Sequence, residues 1–204
     1  MDELLAVGHE GGIYRMKHLT LVTSPPACGK TFISKQLAKA LTNCVYLDKD
    51  TLIVLSKQIF AVAGEEYNRS SDFFQREIRD YEYYCVLDLA MEALDYNDTV
   101  LINAPFTEEI RDDEYLDSLR KRLAKHGAEL VVIWVNTRVE VCRERMIKRN
   151  SDRDTWKLEH WDEYIAGCNF NQPNNIKELL VFENSSEEEY EESIKRVVKQ
   201  LRGE

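Results

Sequence analysis

Glycine, lysine and threonine stand together at residues 29–31, at the end of a loop of sequence Ser-Pro-Pro-Ala-Cys-Gly-Lys-Thr. The backbone N–H groups of such a loop, with the start of a following helix, can surround the oxygens of a phosphate group. Lys30 would add a positive charge at the β- and γ-phosphates, and the Thr31 hydroxyl could bind Mg²⁺. Ser24 occupies the position where this motif normally has its first glycine. The pattern predicts a site for a nucleoside triphosphate.

The segments on either side of this phosphate-binding loop (residues 24–31) are those that the chemistry requires. Residues 19–23 form an apolar and β-branched run that predicts a buried strand, and apolar residues recur at helical spacing over 31–41. A loop between a strand and a helix is the context that separates a true phosphate site from a chance Gly-Lys-Thr. The predicted nucleotide contacts in and beside the loop are Pro26, Ala27, Cys28, Gly29, Lys30, Thr31 and Phe32.

Two carboxylates, Asp48 and Asp50, follow the next apolar run at residues 45–47. Ligands of parallel sheets bind beyond the carboxyl ends of the strands, so both side chains are expected to face the phosphate site. One could hold a water bound to Mg²⁺, and the other could accept the proton of an attacking hydroxyl. The alternative is that Asp50 only caps a helix beginning at Thr51. Beside a phosphate-binding loop, we favour the functional interpretation of Asp50.

Strand and helix patterns alternate along the whole chain. Strands are predicted at residues 19–23, 45–47, 100–102, 130–135 and 180–182, and helices at about 31–41, 51–62, 72–96, 112–126, 139–149 and 187–201. This order predicts an α/β fold, with a parallel sheet covered by helices on both faces. Residues 1–16 contain three glycines and predict a flexible N-terminal extension to a domain spanning 17–204, in which the polar stretch at about 150–168 could form a lid.

The composition narrows the class of protein. The chain has 204 residues, 44% of them hydrophobic and 31% charged, which is typical of one globular domain. No apolar run is long enough to span a membrane, and no secretory signal begins the sequence. Five widely spaced cysteines without a C-x-x-C motif fit a reducing cytoplasm. The net charge of −10 disfavours a long nucleic-acid partner.

The loop at 24–31 and the Asp48-x-Asp50 pair resemble the P-loop kinases of small molecules and polynucleotides. This group includes gluconate kinase, adenylylsulfate kinase, chloramphenicol phosphotransferase, zeta-type toxins and the 5′-hydroxyl polynucleotide kinase domain. The resemblance implies a three-layer P-loop NTPase fold, with a five-stranded parallel sheet of order 2-3-1-4-5, flanking helices and a small lid. It also implies transfer of the γ-phosphate of ATP to a hydroxyl of a small molecule, with Mg²⁺ held by Thr31 and Asp48 and with Asp50 as the base. Ile53 stands where the group has an acceptor-binding arginine.

Further site residues follow from the same resemblance. Arg76 and Arg79 lie on the helix that would bind the acceptor, although a solvated charged face explains them equally well. Asn103 stands where related kinases tend to have an aspartate that contacts the metal or the acceptor. Arg145 and Arg149, before the predicted lid, would stabilise the transferred phosphate, with a solvated helix end as the alternative. Asn184, after the fifth strand, would lie against the adenine.

Two other functions remain open from the sequence. Because an arginine is missing at residue 53 and an aspartate at residue 103, the chain could be a nucleotide-binding regulator or a slow NTPase without an acceptor. It could also be a polynucleotide 5′-kinase or a toxin-like kinase, although the acidic composition makes a nucleic-acid partner unlikely. The sequence predicts neither the acceptor nor the oligomeric state.

Overall fold

Five parallel strands form a single sheet at the centre of the computed structural model, which describes residues 16–151, 154–177 and 179–204. The strand order is β2-β3-β1-β4-β5, so the predicted P-loop NTPase topology is confirmed. The strands are β1 (Lys17–Thr23), β2 (Cys44–Asp48), β3 (Thr99–Asn103), β4 (Ala128–Asn136) and β5 (Leu180–Glu183). The strand that leads into the phosphate-binding loop, β1, is the central one.

Helices connect consecutive strands and cover both faces of the sheet. They are α1 (Lys30–Ala40), α2 (Ile53–Ala63), α3 (Asp72–Phe74), α4 (Asp80–Leu94), α5 (Asp113–Ala124), α6 (Val139–Arg149), α7 (Thr155–Glu159), α8 (Trp161–Ala166) and α9 (Glu187–Arg202). A 3₁₀ turn, Lys49–Leu52, joins β2 to α2, and another, Glu109–Arg111, precedes α5. The predicted helix at 72–96 contains a π-helical segment, Gln75–Arg79, between α3 and α4.

Side chains of β1 alternate between two apolar layers, as expected for a strand that is buried on both faces. Leu21 packs in the layer that includes α4 and α5, whereas Val22 packs with residues of α1, α6 and α9. Neither side chain is exposed to solvent. This double layer makes the carboxyl ends of β1, β2 and β3 a rigid platform, and the loops that follow these strands form the candidate site.

The predicted division of the chain stays a prediction. Except for Met16, the extension predicted at residues 1–16 lies outside the described residues. The described part of the segment at 150–168 contains the two short helices α7 and α8. None of the helices in the described ranges is both long and apolar enough to cross a membrane.

Candidate active site

The phosphate-binding loop has a backbone conformation suited to an anion. Ala27 and Gly29 both have positive φ angles, 63° and 88°, and they flank Cys28. Left-handed residues in such a turn direct successive N–H groups toward one side, which forms a concave anion site. Helix α1 then begins at Lys30, and no side chain caps its first N–H groups. The donors that a helix leaves unsatisfied at its start are therefore available to a phosphate.

The loop is supported from behind by residues that follow β4 and β5. The carbonyl oxygen of Cys28 accepts hydrogen bonds from Asn184 Nδ2 at 2.7 Å, Thr137 Oγ1 at 3.0 Å and Arg145 Nη1 at 3.3 Å. Arg145 also donates from Nη2 to the Asn184 carbonyl at 2.6 Å. The structure thus brings two predicted site residues, Arg145 and Asn184, together on the backbone of the loop.

Asn103, at the end of β3, connects the loop to the neighbouring strand. Its Oδ1 accepts from Lys30 Nζ at 2.9 Å, and its Nδ2 donates to Thr31 Oγ1 and to Tyr46 Oη, both at 3.2 Å. Asn103 is 2% exposed and lies opposite Asp48 in the pairing of β2 with β3. The amide can make all these bonds because it offers both an acceptor and donors, whereas an aspartate could only accept.

The two aspartates after β2 have different surroundings. Asp48 accepts from Tyr46 Oη at 2.9 Å through Oδ2, and from the Asp50 N–H at 3.1 Å through Oδ1. Asp48 is therefore the cap of the 3₁₀ turn, and helix α2 has no side-chain cap, so the alternative role of Asp50 as a helix cap is wrong. The side chain of Asp50 is 62% exposed. Its carboxylate is open to solvent beside the loop.

The electrostatics of Lys30 link the loop to these aspartates. Burial lowers the pKa of the Lys30 ammonium, while the carboxylates of Asp50 and Asp48 act in the opposite direction. Both aspartates are thus close enough to favour the charged form of Lys30. The predicted cluster of Lys30, Thr31, Asp48, Asp50 and Asn103 is assembled at one edge of the sheet, although these residues come from three separate segments.

The predicted acceptor-binding arginines are bound to carboxylates. Arg76 is exposed and pairs with Glu77 at 2.6 Å. Arg79 is half-buried, pairs with Glu109 at 2.6 Å, and lies 4.9 Å from the ring centre of Tyr83. The π-helical segment puts the two guanidinium groups in different environments, and their contacts are not with Lys30, Asp48 or Asp50.

Two further predicted residues, Arg149 and Phe32, make their side-chain contacts away from the phosphate-binding loop. Arg149 donates from Nε to Asp154 Oδ2 at 2.8 Å, and Asp154, which directly precedes α7, is fully buried. Phe32, in the first turn of α1, is 53% exposed, and its ring centre is 5.6 Å from that of Tyr190. Arg149 therefore binds the segment predicted as a lid rather than the loop itself.

Sequence reasoning missed Tyr46 and Lys49. Tyr46 precedes Asp48 by two residues on the same strand, so strand alternation could have placed the two side chains on one face. Lys49 gave no such signal, since a lysine between two aspartates is usually solvated. In the structure it is 4% exposed, and its ammonium donates to Glu82 at 2.7 Å.

The oxygen ligands present fit Mg²⁺ bound together with a nucleotide. Thr31 supplies a hydroxyl and Asp48 a carboxylate, which are hard ligands that this ion prefers. Within the described ranges, no group of three or more His, Cys, Asp or Glu side chains could hold a metal ion. A site of two protein oxygens matches the usual behaviour of Mg²⁺, which keeps several waters and binds substrate phosphates.

A loop with a left-handed glycine, a half-buried lysine at the start of a helix and carboxylates after a neighbouring strand are typical of a P-loop nucleotide-binding domain. A family model described as an AAA domain matches residues 19–170, and the chain belongs to this family of P-loop domains. No curated protein matches the chain.

Solved structures with the same fold include several kinases. A proposed kinase from Chloroflexus aurantiacus is 19% identical, with a TM-score of 0.62, and the match covers 92% of this chain and 98% of that one. The APS kinase of Mycobacterium tuberculosis, in complex with AMPPNP and APS, is 16% identical, with a TM-score of 0.57, and the match covers 93% of this chain and 99% of that one. A gluconokinase from Sinorhizobium meliloti is 14% identical, with a TM-score of 0.51, and the match covers 92% of this chain and 96% of that one. These likenesses confirm the predicted family resemblance at the level of the fold.

Proposed function

We propose that this protein transfers the γ-phosphate of ATP to a hydroxyl group of a small molecule in a Mg²⁺-dependent reaction. One observation carries the proposal. Hydrogen bonds through Asn103 and Tyr46 join Lys30 and Thr31 of the loop to Asp48, and an exposed carboxylate, Asp50, lies at the same edge of the sheet. An NTP-binding loop alone would not need a free carboxylate at that place.

Each residue then has a chemical role. The backbone of residues 26–32 would bind the phosphates, and Lys30 would stabilise the charge on the γ-phosphoryl oxygens. Thr31 and Asp48 would hold Mg²⁺, which supplies neutralisation of the phosphate charge. Asp50 would accept the proton of the acceptor hydroxyl, because its carboxylate is accessible and is not used as a helix cap. Most of the rate enhancement would come from positioning and electrostatics.

The remaining predicted residues take part less directly. Arg145 would keep the loop in shape and face the nucleotide, with Asn184 beside it. Arg149 would have to leave Asp154 before it could reach a phosphate. Arg76 and Arg79 would bind an acceptor only by exchanging their carboxylate partners, whereas Asn103 would contact the acceptor or the metal by small shifts of its amide.

The substitution Asp50→Asn tests the assignment of the base. Phosphate transfer should fall by at least about 10²-fold, because the amide cannot take up the proton. The affinity for ATP should stay within about twofold, since the aspartate does not contact the loop. Asp117→Asn on the exposed face of α5, which removes a partner of Arg120, is the matched control and should change neither quantity. Loss of ATP affinity in Asp50→Asn, or full transfer activity, would contradict this role.

A nucleotide-binding regulator or slow NTPase without an acceptor is the second candidate. The observation that favours it is the pairing of both Arg76 and Arg79 with carboxylates, which leaves neither arginine free for an acceptor. Under this alternative, Mg-ATP would be hydrolysed slowly at a rate that no hydroxyl compound increases. A polynucleotide acceptor has no comparable support, because the chain carries a net charge of −10.

A further inference from the structure

A buried charge cluster lies directly behind the turn that carries Asp48 and Asp50. Its centre is Glu82 on α4, which is 4% exposed. Glu82 accepts hydrogen bonds from Lys49 Nζ at 2.7 Å, from Ser56 Oγ at 2.5 Å, and from both terminal nitrogens of Arg69 at 2.7 Å. Burial alone would raise the pKa of Glu82, but the bonds from Arg69, Lys49 and Ser56 outweigh it and lower the pKa to about 2. Glu82 is therefore a carboxylate at neutral pH.

Lys49 lies between Glu82 and the proposed base. Its ammonium is 2.7 Å from Glu82 Oε2 and 3.9 Å from Asp50 Oδ1. Glu82 is buried whereas Asp50 is 62% exposed, and an ion pair is stronger where solvent is excluded. The ammonium therefore belongs to Glu82, and Asp50 keeps lone pairs that a closer lysine would occupy.

We propose that Glu82 is a positioning residue that holds Lys49 away from Asp50, so that the Asp50 carboxylate stays free to receive the acceptor hydroxyl. The inference rests on the proposed function, because an unoccupied Asp50 carboxylate matters for activity only if Asp50 is the base. Glu82 touches neither nucleotide nor acceptor in this account and acts only through Lys49. Ser56 and Arg69 fix the position of the Glu82 carboxylate, since each donates to it from a different segment of the chain.

The substitution Glu82→Gln removes this restraint with little change of volume. Arg69 donates to both carboxylate oxygens, Oε1 and Oε2, so a glutamine in either orientation directs its NH₂ group at an Arg69 nitrogen. The neutral side chain also attracts the Lys49 ammonium less strongly than the carboxylate does. Asp50 is then the carboxylate nearest to the Lys49 ammonium, and we expect the lysine to move onto it.

The test measures transfer of the γ-phosphate and binding of ATP in four proteins: wild type, Glu82→Gln, Lys49→Met, and the double variant. Glu82→Gln should reduce turnover by about 10²-fold, the size of effect that displaced catalytic groups produce, with ATP affinity within about twofold. Lys49→Met should stay within about tenfold of wild type, because Glu82 keeps Arg69 and Ser56 as partners. The double variant should recover about tenfold over Glu82→Gln, since the blocking ammonium is gone.

A purely structural role for Glu82 would give a different pattern. Val197→Ala, in the buried face of α9, is the stability control: it should lower Tm without changing turnover per bound nucleotide. Full turnover in Glu82→Gln, or a double variant no more active than Glu82→Gln, would overturn the inference. Loss of turnover in Lys49→Met equal to that in Glu82→Gln would do the same.

A crystal structure of Glu82→Gln decides the question without any acceptor. Lys49 Nζ within hydrogen-bond distance of Asp50 would support the inference, and Lys49 still bound to residue 82 would refute it. If wild type forms no phosphorylated product with any acceptor, the proposed function fails, while this structural readout still reports on the position of Lys49.

Discussion

The substitution Gly29→Ala tests whether the shape of the phosphate-binding loop depends on a left-handed glycine held against Asn184. Gly29 has a φ of 88°, and a Cβ atom there would lie 2.7 Å from Asn184 Nδ2 and 3.4 Å from Arg145 Nη1. The first distance is too short for any real contact. Alanine at this position must therefore accept an unfavourable backbone conformation and also displace a buried amide.

The two costs can be separated. An L-residue in the left-handed region costs about 1–2 kcal/mol. Displacing Asn184 breaks its 2.7 Å hydrogen bond to the Cys28 carbonyl, and both groups are buried, which adds about 1–3 kcal/mol. If the loop relieves this strain by leaving its anion-binding conformation, the second cost appears as a loss of ATP affinity of about 5- to 150-fold.

Gly64→Ala provides the matched control. Gly64 ends helix α2 with a φ of 73°, and nothing lies within 4 Å of a Cβ at this position. It therefore carries the backbone cost without the collision. Titration with a fluorescent ATP analogue and urea unfolding should show weakened binding in Gly29→Ala only, while both variants lose stability. ATP affinity in Gly29→Ala within twofold of that in Gly64→Ala would refute the reasoning.

Three further outcomes are expected. Tyr46→Phe removes a hydroxyl that donates to Asp48, so the Mg²⁺ concentration for half-maximal turnover should rise by about tenfold, measured by titration with Mg²⁺. Thr31→Val removes a proposed metal ligand and should raise the same concentration further, with nucleotide binding in the absence of Mg²⁺ nearly unchanged. The pKa of Glu82 is depressed to about 2 from an ordinary value of 4.5, so its contribution to stability is complete above pH 4.5 and is lost as the pH falls toward 2. Urea midpoints measured across this range should fall steeply in wild type and less steeply in Glu82→Gln; equal slopes would contradict the assignment.

The sequence predicts the framework of this protein well, because short-range signals determine it. Apolar runs located all five strands to within two residues at either end, and the glycine, lysine and threonine at 29–31 identified the loop between β1 and α1. The strand order came from the family resemblance, since periodicity alone does not say which strands are neighbours. Asp48 and Asp50 were found by their position after a strand, which is also a local feature.

What the sequence does not predict depends on contacts between distant segments. Glu82 and Lys49 are 33 residues apart in the sequence, and Arg79 and Glu109 are 30 residues apart. No local sequence pattern predicts either pair. Arg79 shows the consequence: its predicted role as an acceptor ligand stays a prediction, and the structure adds a carboxylate partner, Glu109, that the sequence does not indicate. The π-helical segment that contains Arg79 is likewise not predicted by a search for apolar residues at the α-helical repeat of 3.6 residues.

The central claim is phosphate transfer to a small-molecule hydroxyl, and its most direct test uses γ-labelled ATP. The protein is incubated with Mg²⁺, labelled ATP and a fractionated metabolite extract, with Lys30→Ala as the blank. We predict a labelled organic product in at least one fraction, which disappears with Lys30→Ala because the phosphates lose their half-buried cation. Release of free phosphate alone, or tight ATP binding with no turnover in any fraction, would contradict the account and favour the nucleotide-binding regulator.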